Sequence, residues 1–500
     1  MGTWDGLLTG LAFALQPGVL VYCLLGVLLG TFVGVLPGIG AMAAISLLLP
    51  ITYYISAEAA LIMLAGVYYG AQYGGAVASI LMRLPGTPQS AVTALDGYPM
   101  ARDGRAGPAL FAAMVSSFAG SIIGIVVLVM LAGWLSRAAV AFGAADYAAM
   151  MVLGLVAAST IGSARPAKGF AMIVLGMLLG CIGTDVNSGA MRYTFGQTEL
   201  LDGVNLVALA MGLFGVAEVI GNVRDPERQA VTGRISFRQM APTRDDLSRM
   251  LFPTLRGSGM GSFFGALPGT GSTLSSFLSY AMERRIARRP ERFGQGAIEG
   301  VAGPEAANNS AAITAFVPTL TLGIPGDPIM ALMLGALVIH GVQPGPMMLD
   351  ARPEMFWGLV ASFGIGNLLL LVLNLPLIGI WVSLLRLPFR WLYPAILIFI
   401  CLGVYSVRGL TYDIVAVAAI GLAGHLLALA RFSPALLLLG FVLGPLIETN
   451  LRRALLISRG DPMVFLERPI SAAFVAAIAG LLILSAAQAV RRRRKEAPGA

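Results

Sequence analysis

Apolar runs separated by short polar clusters fill this chain from one end to the other. Most are close to the roughly 20 residues that a helix needs to cross a bilayer's hydrocarbon core. In the first half they cover residues 19–36, 41–49, 58–82, 109–135, 145–161, 169–184 and 204–220. In the second half they cover 252–282, 306–324, 330–342, 355–385, 393–407, 414–430, 436–447 and 470–490. This pattern predicts an all-α integral membrane protein of about 12 transmembrane segments. The run 41–49 is too short to cross and reads as a half-helix. Asn374-Leu-Pro376 predicts a kink in the run 355–385. Asp96-Gly-Tyr-Pro99, with Arg102 and Arg105, reads as a polar turn. The polar run Gly303-Pro-Glu-Ala-Ala-Asn-Asn-Ser310 reads as the lead-in to an apolar helix.

Helix breakers interrupt the apolar runs in a repeated way. Gly34-Val-Leu-Pro-Gly-Ile-Gly40 and Gly265-Ala-Leu-Pro-Gly-Thr-Gly271 both read G-x-L-P-G-x-G, each with a further glycine four residues upstream, Gly30 and Gly261. Each is followed by a second break, Leu84-Pro-Gly-Thr-Pro88 and Ile324-Pro-Gly-Asp-Pro328. The separation of Pro268 from Pro37 nearly equals that of Pro325 from Pro85. Two paired signals at nearly one offset predict two internal repeats. The chain then divides into a first half at 1–222, a linker at 223–256 and a second half at 257–500. Broken backbone at membrane depth is tolerated only where it is buried in protein or lines a cavity. Matched breaks in two halves point to a transporter's binding site.

Charge refines the topology. Only 12% of the 500 residues are charged and mean hydropathy is +0.83. The net charge of +8 raises a nucleic-acid reading. The arginines nevertheless lie in short clusters between apolar runs, as cytoplasmic loops require. Residues 224–256 hold seven arginines against four acids, and 283–299 hold Arg284, Arg285, Arg288, Arg289 and Arg292. Positive clusters on both sides of 252–282 predict a re-entrant hairpin that enters and leaves on the cytoplasmic side, with its tip at the Pro-Gly. No Lys or Arg precedes Arg83, so the two repeats are expected to be inverted, with an outside N-terminus. The basic tail Arg491–Lys495 reads as a cytoplasmic anchor. Cys23, Cys181 and Cys401 form no C-x-x-C pair and imply neither a disulfide framework nor a metal site. No Walker, H-E-x-x-H or G-x-S-x-G motif occurs, so an enzyme or ATP-driven motor is not expected.

The candidate chemistry gathers at the breaks. A half-helix N-terminus presents N–H groups and a positive dipole end to an anion. Four such termini lie at Gly38 and Gly40, at Gly86 and Thr87, at Gly269, Thr270 and Gly271, and before Asp327. Ser46, Ser272 and Thr273 add hydroxyls. These residues are the expected substrate site. Asn308, Asn309, Ser310 and Asp327 are the expected coupling-ion site, for Na⁺ or H⁺, since freed carbonyls and one carboxylate suit a cation. The plainer alternatives are helix capping for Asp327 and helix–helix hydrogen bonding for the Asn-Asn-Ser run. Arg83 reads as an interfacial anchor, and Glu58, Asp146, Glu199 and Glu218 as interfacial acids.

At these residues the chain resembles the TctA family, the large membrane subunit of tripartite tricarboxylate transporters. The resemblance rests on Gly30–Gly40, Tyr69-Gly-Ala-Gln-Tyr-Gly-Gly75, Leu84–Pro88, Asp96–Pro99, Gly261–Gly271, Gly303–Ser310 and Gly323–Pro328, and spans most of the chain. It implies a multi-pass protein of the bacterial cytoplasmic (inner) membrane. Its partners would be a small four-span TctB-type subunit and a periplasmic TctC-type solute-binding protein that delivers a carboxylate. It implies secondary transport driven by a Na⁺ or H⁺ gradient, with no cofactor beyond that ion. Citrate and other tricarboxylates, dicarboxylates and aromatic acids are all substrates within the family. A stand-alone carboxylate permease or channel is the alternative, and an intramembrane enzyme or scaffold a further one.

Overall fold

The apolar runs fold as helices, and the helices before the breaks, Pro17–Val35 among them, end there. The computed structural model describes residues 3–36, 40–84, 86–139, 141–161, 165–185, 188–222, 237–267, 271–345, 348–385 and 389–496. The first half holds α1 (Thr3–Ala14), α2 (Pro17–Val35), α3 (Ala41–Thr52), α4 (Ala57–Met82), α5 (Thr93–Met100), α6 (Ala106–Ala139), α7 (Ala144–Ile161), α8 (Pro166–Gly180), α9 (Leu206–Ala210) and α10 (Ala217–Asn222). The second holds α11 (Arg244–Gly265), α12 (Gly271–Ile286), α13 (Glu299–Thr314), α14 (Phe316–Leu322), α15 (Pro328–Ile339), α16 (Met348–Ala351), α17 (Pro353–Asn374) and α18 (Ile378–Leu384). It closes with α19 (Phe389–Arg408), α20 (Thr411–Leu429), α21 (Pro434–Ile457), α22 (Val464–Glu467) and α23 (Pro469–Glu496). Among the described residues, six helices are long and apolar enough to cross a membrane, and shorter apolar helices accompany them. Large apolar side chains face outward, among them Met130 and Trp134 on α6, Phe399 and Leu402 on α19 and Ile483 on α23. That is the surface a bilayer covers, and the chain is a multi-pass membrane protein.

Two helices form the centre. Residues Ala59–Met82 of α4 and Gly300–Thr314 of α13 are buried without interruption. Each packs on the helix that ends at a break, α2 on α4 and α11 on α13. Both contacts are made through glycine. A β-carbon at Gly26, Gly30 or Gly34 would collide with the carbonyl oxygen of Met63, Val67 or Ala71. One at Gly257, Gly261 or Gly265 would collide with that of Gly303, Ala307 or Ala311. The second set of glycines follows the first at the offset of Pro268 from Pro37. The second set of carbonyls follows the first at the offset of Pro325 from Pro85. The seams therefore repeat in step with the breaks. Spacing by four keeps one helix face free of side chains, so the backbones approach closely.

Several expectations need correction. Residues 223–236 of the linker lie outside the described residues, but Arg244 to Arg256 already belong to α11. A capping box explains the early start: Thr243 accepts from the Asp246 N–H, and the Asp246 carboxylate accepts from the Thr243 N–H. The run Gly303–Ser310 is not a lead-in but the interior of α13, with Pro304 inside it. Its polar side chains point to partners on neighbouring helices, which offsets most of the cost of burying them. Asp96–Pro99 is helical, within α5. Its Asp96 Oδ1 accepts from the N–H groups of Gly294, Gly296 and Ala297 at 2.8, 2.9 and 2.8 Å. The run 169–184 stops at Gly180, and Gly183–Thr184 pairs antiparallel with Met191–Arg192 instead. α1 was not foreseen; Gly6 and Gly10 let it lie against Trp357 of α17.

α11 and α12 flank the second G-x-L-P-G-x-G and pack against each other. Arg256 on α11 and Glu283 near the end of α12 form an ion pair at 2.7 Å. The two helices therefore run antiparallel. At the proline after Asn374 the chain stops one helix at Asn374 and starts the next at Ile378, a full interruption rather than a kink.

Candidate functional site

The second break of each half starts a helix from an oxygen-bearing cap. Asp327 is the N-cap of α15, and its Oδ1 accepts from the Met330 N–H at 2.8 Å. Thr87, at the matching place in the first half, caps the short 3₁₀ helix Pro88–Ala91 in a box with Ser90. Proline at the first helical position follows each cap, where its missing N–H costs nothing.

Side chains from the two halves meet around these caps. The Tyr68 hydroxyl of α4 donates to Asp327 Oδ2 at 2.7 Å and lies 3.4 Å from Ser272 Oγ of α12. Gln89 Nε2 donates to Ser272 Oγ at 2.9 Å. Asn308 Nδ2 and Thr87 Oγ1 both donate to Gln72 Oε1, at 3.2 and 3.4 Å. Gly271 has a left-handed φ of +65°, and a β-carbon there would sit 3.1 Å from Asp327 Cβ. Tyr68, Gln72, Thr87, Gln89, Ser272, Asn308 and Asp327 are all buried. Asp327 makes no ion pair among the described residues. Three polar atoms of this group are buried without a partner: Gln72 Nε2, Gln89 Oε1 and Asn308 Oδ1. Such atoms are rare in folded proteins and mark where a ligand or water would be held.

The expected site residues separate into those that reach this centre and those that do not. Thr87, Gly271, Ser272, Asn308 and Asp327 lie in it. Gly86 stands at the same break, tight against the Gly34 carbonyl. Ser46 is turned into its own helix, donating to the Met42 carbonyl at 2.7 Å, and Thr273 is exposed. Gly38, Gly269 and Thr270 lie outside the described residues. Gly40 begins α3, and its N–H donates to the Glu218 carboxylate at 3.2 and 3.4 Å. Glu218, read as an interfacial acid, thus holds a half-helix N-terminus. Asp146 is likewise no free interfacial acid: it is buried and paired with Arg468 at 2.6 Å.

The run Asn308-Asn309-Ser310 points three ways, as an α-helix turning about 100° per residue requires. Asn308 faces Gln72. Asn309 Nδ2 faces the other side, donating to Ser117 Oγ of α6 at 2.8 Å and to the Glu305 carbonyl at 3.1 Å. Ser310 lies in the α11–α13 seam, donating to the Ser258 carbonyl at 2.9 Å beside Ser262 Oγ at 2.6 Å. Tyr68, Gln72 and Gln89 are members of the site beyond the expected residues, the first two within the run that matches Gly303–Ser310 in the other half. Two signals for them exist. Gln89 directly follows Leu84–Pro88. The Tyr68–Gly75 run precedes Asn308 at the offset that separates Pro85 from Pro325.

The TctA model, described as the tripartite tricarboxylate transporter TctA family, matches residues 20–439. An uncharacterized 52.8 kDa protein of the TAR-I ttuC′ 3′ region of Agrobacterium vitis is 49% identical over 485 residues, covering 97% of this chain and 96% of that one. An uncharacterized protein of the TAR-II ttuC′ 3′ region of the same organism is 50% identical over 236 residues, covering 47% of this chain and 98% of that one. No solved structure matches. The family match encloses both break pairs and every residue of the buried polar centre, and the chain belongs to the TctA family of tripartite tricarboxylate transporters.

Proposed function

We propose that this chain is the translocating subunit of a binding-protein-dependent importer of small carboxylates, in the cytoplasmic membrane of a bacterium. A small TctB-type membrane subunit and a periplasmic TctC-type binding protein are its expected partners. The observation that carries the reading is the polar centre where Asp327, Ser272, Tyr68 and Gln89 converge from both halves. Among the described residues the centre holds no arginine or lysine. An anion there would be held by amide and hydroxyl donors and by the α12 N-terminus, a weak grip suited to release. Asp327 opposes an anion, so substrate and a cation would enter together. That is the electrostatic basis for coupling to a Na⁺ or H⁺ gradient.

The matched glycine seams and matched breaks support reading the chain as two copies of one unit, of inverted orientation, with about 12 crossings. Alternating access then moves one helix pair against the other around the centre. The test is uptake of radiolabelled citrate and succinate into right-side-out vesicles holding this chain and its small subunit. Binding proteins are added or withheld, under an imposed Na⁺ or proton gradient. Uptake that needs both a binding protein and a gradient supports the reading. Gradient-driven uptake without any binding protein makes it a stand-alone permease.

A further inference from the structure

Glu305 is a second buried carboxylate, joined to the centre around Asp327 through Asn308, whose side chain hydrogen-bonds it. It sits mid-way along α13 and is fully enclosed. Thr93 Oγ1 of α5 donates to its Oε1, and Ser117 Oγ of α6 donates to its Oε2 at 3.2 Å. Asn309, one turn on, donates to the same Ser117 hydroxyl and leaves its own Oδ1 buried without a partner. Among the described residues, the charged groups on the elements packed against α13 are paired elsewhere or, like Arg244, exposed. Arg256 pairs with Glu283, Arg249 with Glu299, Arg105 with Asp246, and Asp96 with the 294–297 backbone. Arg284 and Arg285 lie at the outer end of α12. Tyr73 of α4 also faces Glu305, and it donates to Asn367 at 3.2 Å.

Among the described residues Glu305 has no basic partner, and a carboxylate at this depth then needs a positive charge from outside the protein. Around it lie two carboxylate oxygens, the hydroxyls of Thr93 and Ser117 and the orphaned amide oxygen of Asn309, with the Asn308 side chain hydrogen-bonded to the carboxylate. Hard oxygen donors suit a hard monovalent cation. The hydroxyls can turn about their C–O bonds and present lone pairs in place of hydrogens. We propose that Glu305, with Thr93, Ser117 and Asn309, binds one monovalent cation, H⁺ or Na⁺, as a coupling site separate from the one at Asp327. The inference rests on the importer reading for the word coupling, but the binding site itself does not.

The test is made first on the purified chain with no carboxylate present. Radiolabelled Na⁺ binding and the infrared carboxylic-acid C=O band across a pH series are compared for wild type, Glu305→Gln and Asp327→Asn. Glu305→Gln keeps shape and hydrogen bonding but cannot carry the charge. It is expected to remove either one equivalent of bound Na⁺ or one titrating acid band. Asp327→Asn is expected to leave that equivalent in place. Loss of bound Na⁺ assigns sodium, and loss of the band assigns the proton. Thr93→Val and Ser117→Ala keep the carboxylate and should weaken the same signal about tenfold each. Sodium binding and acid bands in Glu305→Gln identical to wild type would overturn the proposal, as would unchanged signals in the two hydroxyl variants should Glu305→Gln fail to fold. In vesicles, Glu305→Gln should still exchange labelled citrate or succinate at equilibrium but no longer accumulate it. Wild-type vesicles that take up no carboxylate at all would sink the importer reading and leave the binding result standing.

Discussion

Tyr68 and Asp327 are far apart in sequence, one in each half, and joined by a 2.7 Å hydrogen bond between their side chains. The bond ties the most buried helix of the first half to the cap of a break in the second. Any movement of one half against the other must stretch or break it.

Tyr68→Phe removes that donor and leaves the ring in place. A charge-assisted hydrogen bond contributes about 1.5–3 kcal/mol, so driven uptake should fall at least tenfold while expression in the membrane is kept. Uptake by the Phe variant equal to wild type would show that the contact is incidental to the cycle.

Asp327 is both a cap and a charge, and two substitutions separate these roles. Asparagine caps a helix as well as aspartate does. Asp327→Asn should therefore melt close to wild type and still lose driven uptake. Asp327→Ala should lose uptake and also about 1 kcal/mol of stability with the cap. If the Asn variant transports at unchanged ion dependence, the carboxylate has no part in coupling.

The glycine seams should be equally intolerant in both halves. Gly30→Val and Gly261→Val each drive a side chain into a backbone carbonyl, of Val67 and Ala307. Overpacking of this kind costs about 1–3 kcal/mol, and here the obstacle is backbone, which cannot rotate away. Lower thermal stability in detergent is expected for both, by similar amounts. A silent variant at either glycine would refute the equivalence.

Outside the membrane, Asp246 carries a pH dependence. Burial raises its pKa, but hydrogen bonds from Arg105 at 2.6 Å and from Thr243 outweigh burial and hold it below the usual carboxylate value. A lowered folded-state pKa stabilises at pH above the unfolded value, about 3.9, and that contribution is lost as pH falls through the folded value. Arg105 is 42% exposed, so the effect is modest. Melting temperature should therefore fall on acidification below about pH 4, and Asp246→Asn should flatten that part of the profile. A parallel decline in the variant would assign the acid sensitivity to other groups.

The breaks were legible because proline and glycine act on the backbone locally, whatever surrounds them. Their shared offsets also paired Gly30 with Gly261, but not with the carbonyls of Val67 and Ala307 that they pack on. Asp327 could be picked out because a carboxylate between prolines in an apolar run has few roles open to it. For Tyr68 and Gln72 the offset marked only the run they belong to, since what singles them out within it is a partner in the other half. The same holds for the directions of Asn308, Asn309 and Ser310, which depend on which helices surround α13. Gly303–Ser310 and Asp96–Pro99 misled for one reason. Polar residues with a proline look like loop, and only tertiary partners such as Ser117 and the 294–297 backbone make them helix.

The seams at Gly26–Gly34 and Gly257–Gly265 set backbone against backbone, with only small side chains such as Ser262 and Ser310 beside them, hence little that can repack. Each helix pair is in effect one stiff lever. Where the levers meet, contact is made by hydroxyls and amides that can exchange one hydrogen bond for another at little change in energy. The polar centre is thus a bearing as well as a binding place. Filling it with tightly packed apolar side chains would jam the machine even if every ligand could still reach it.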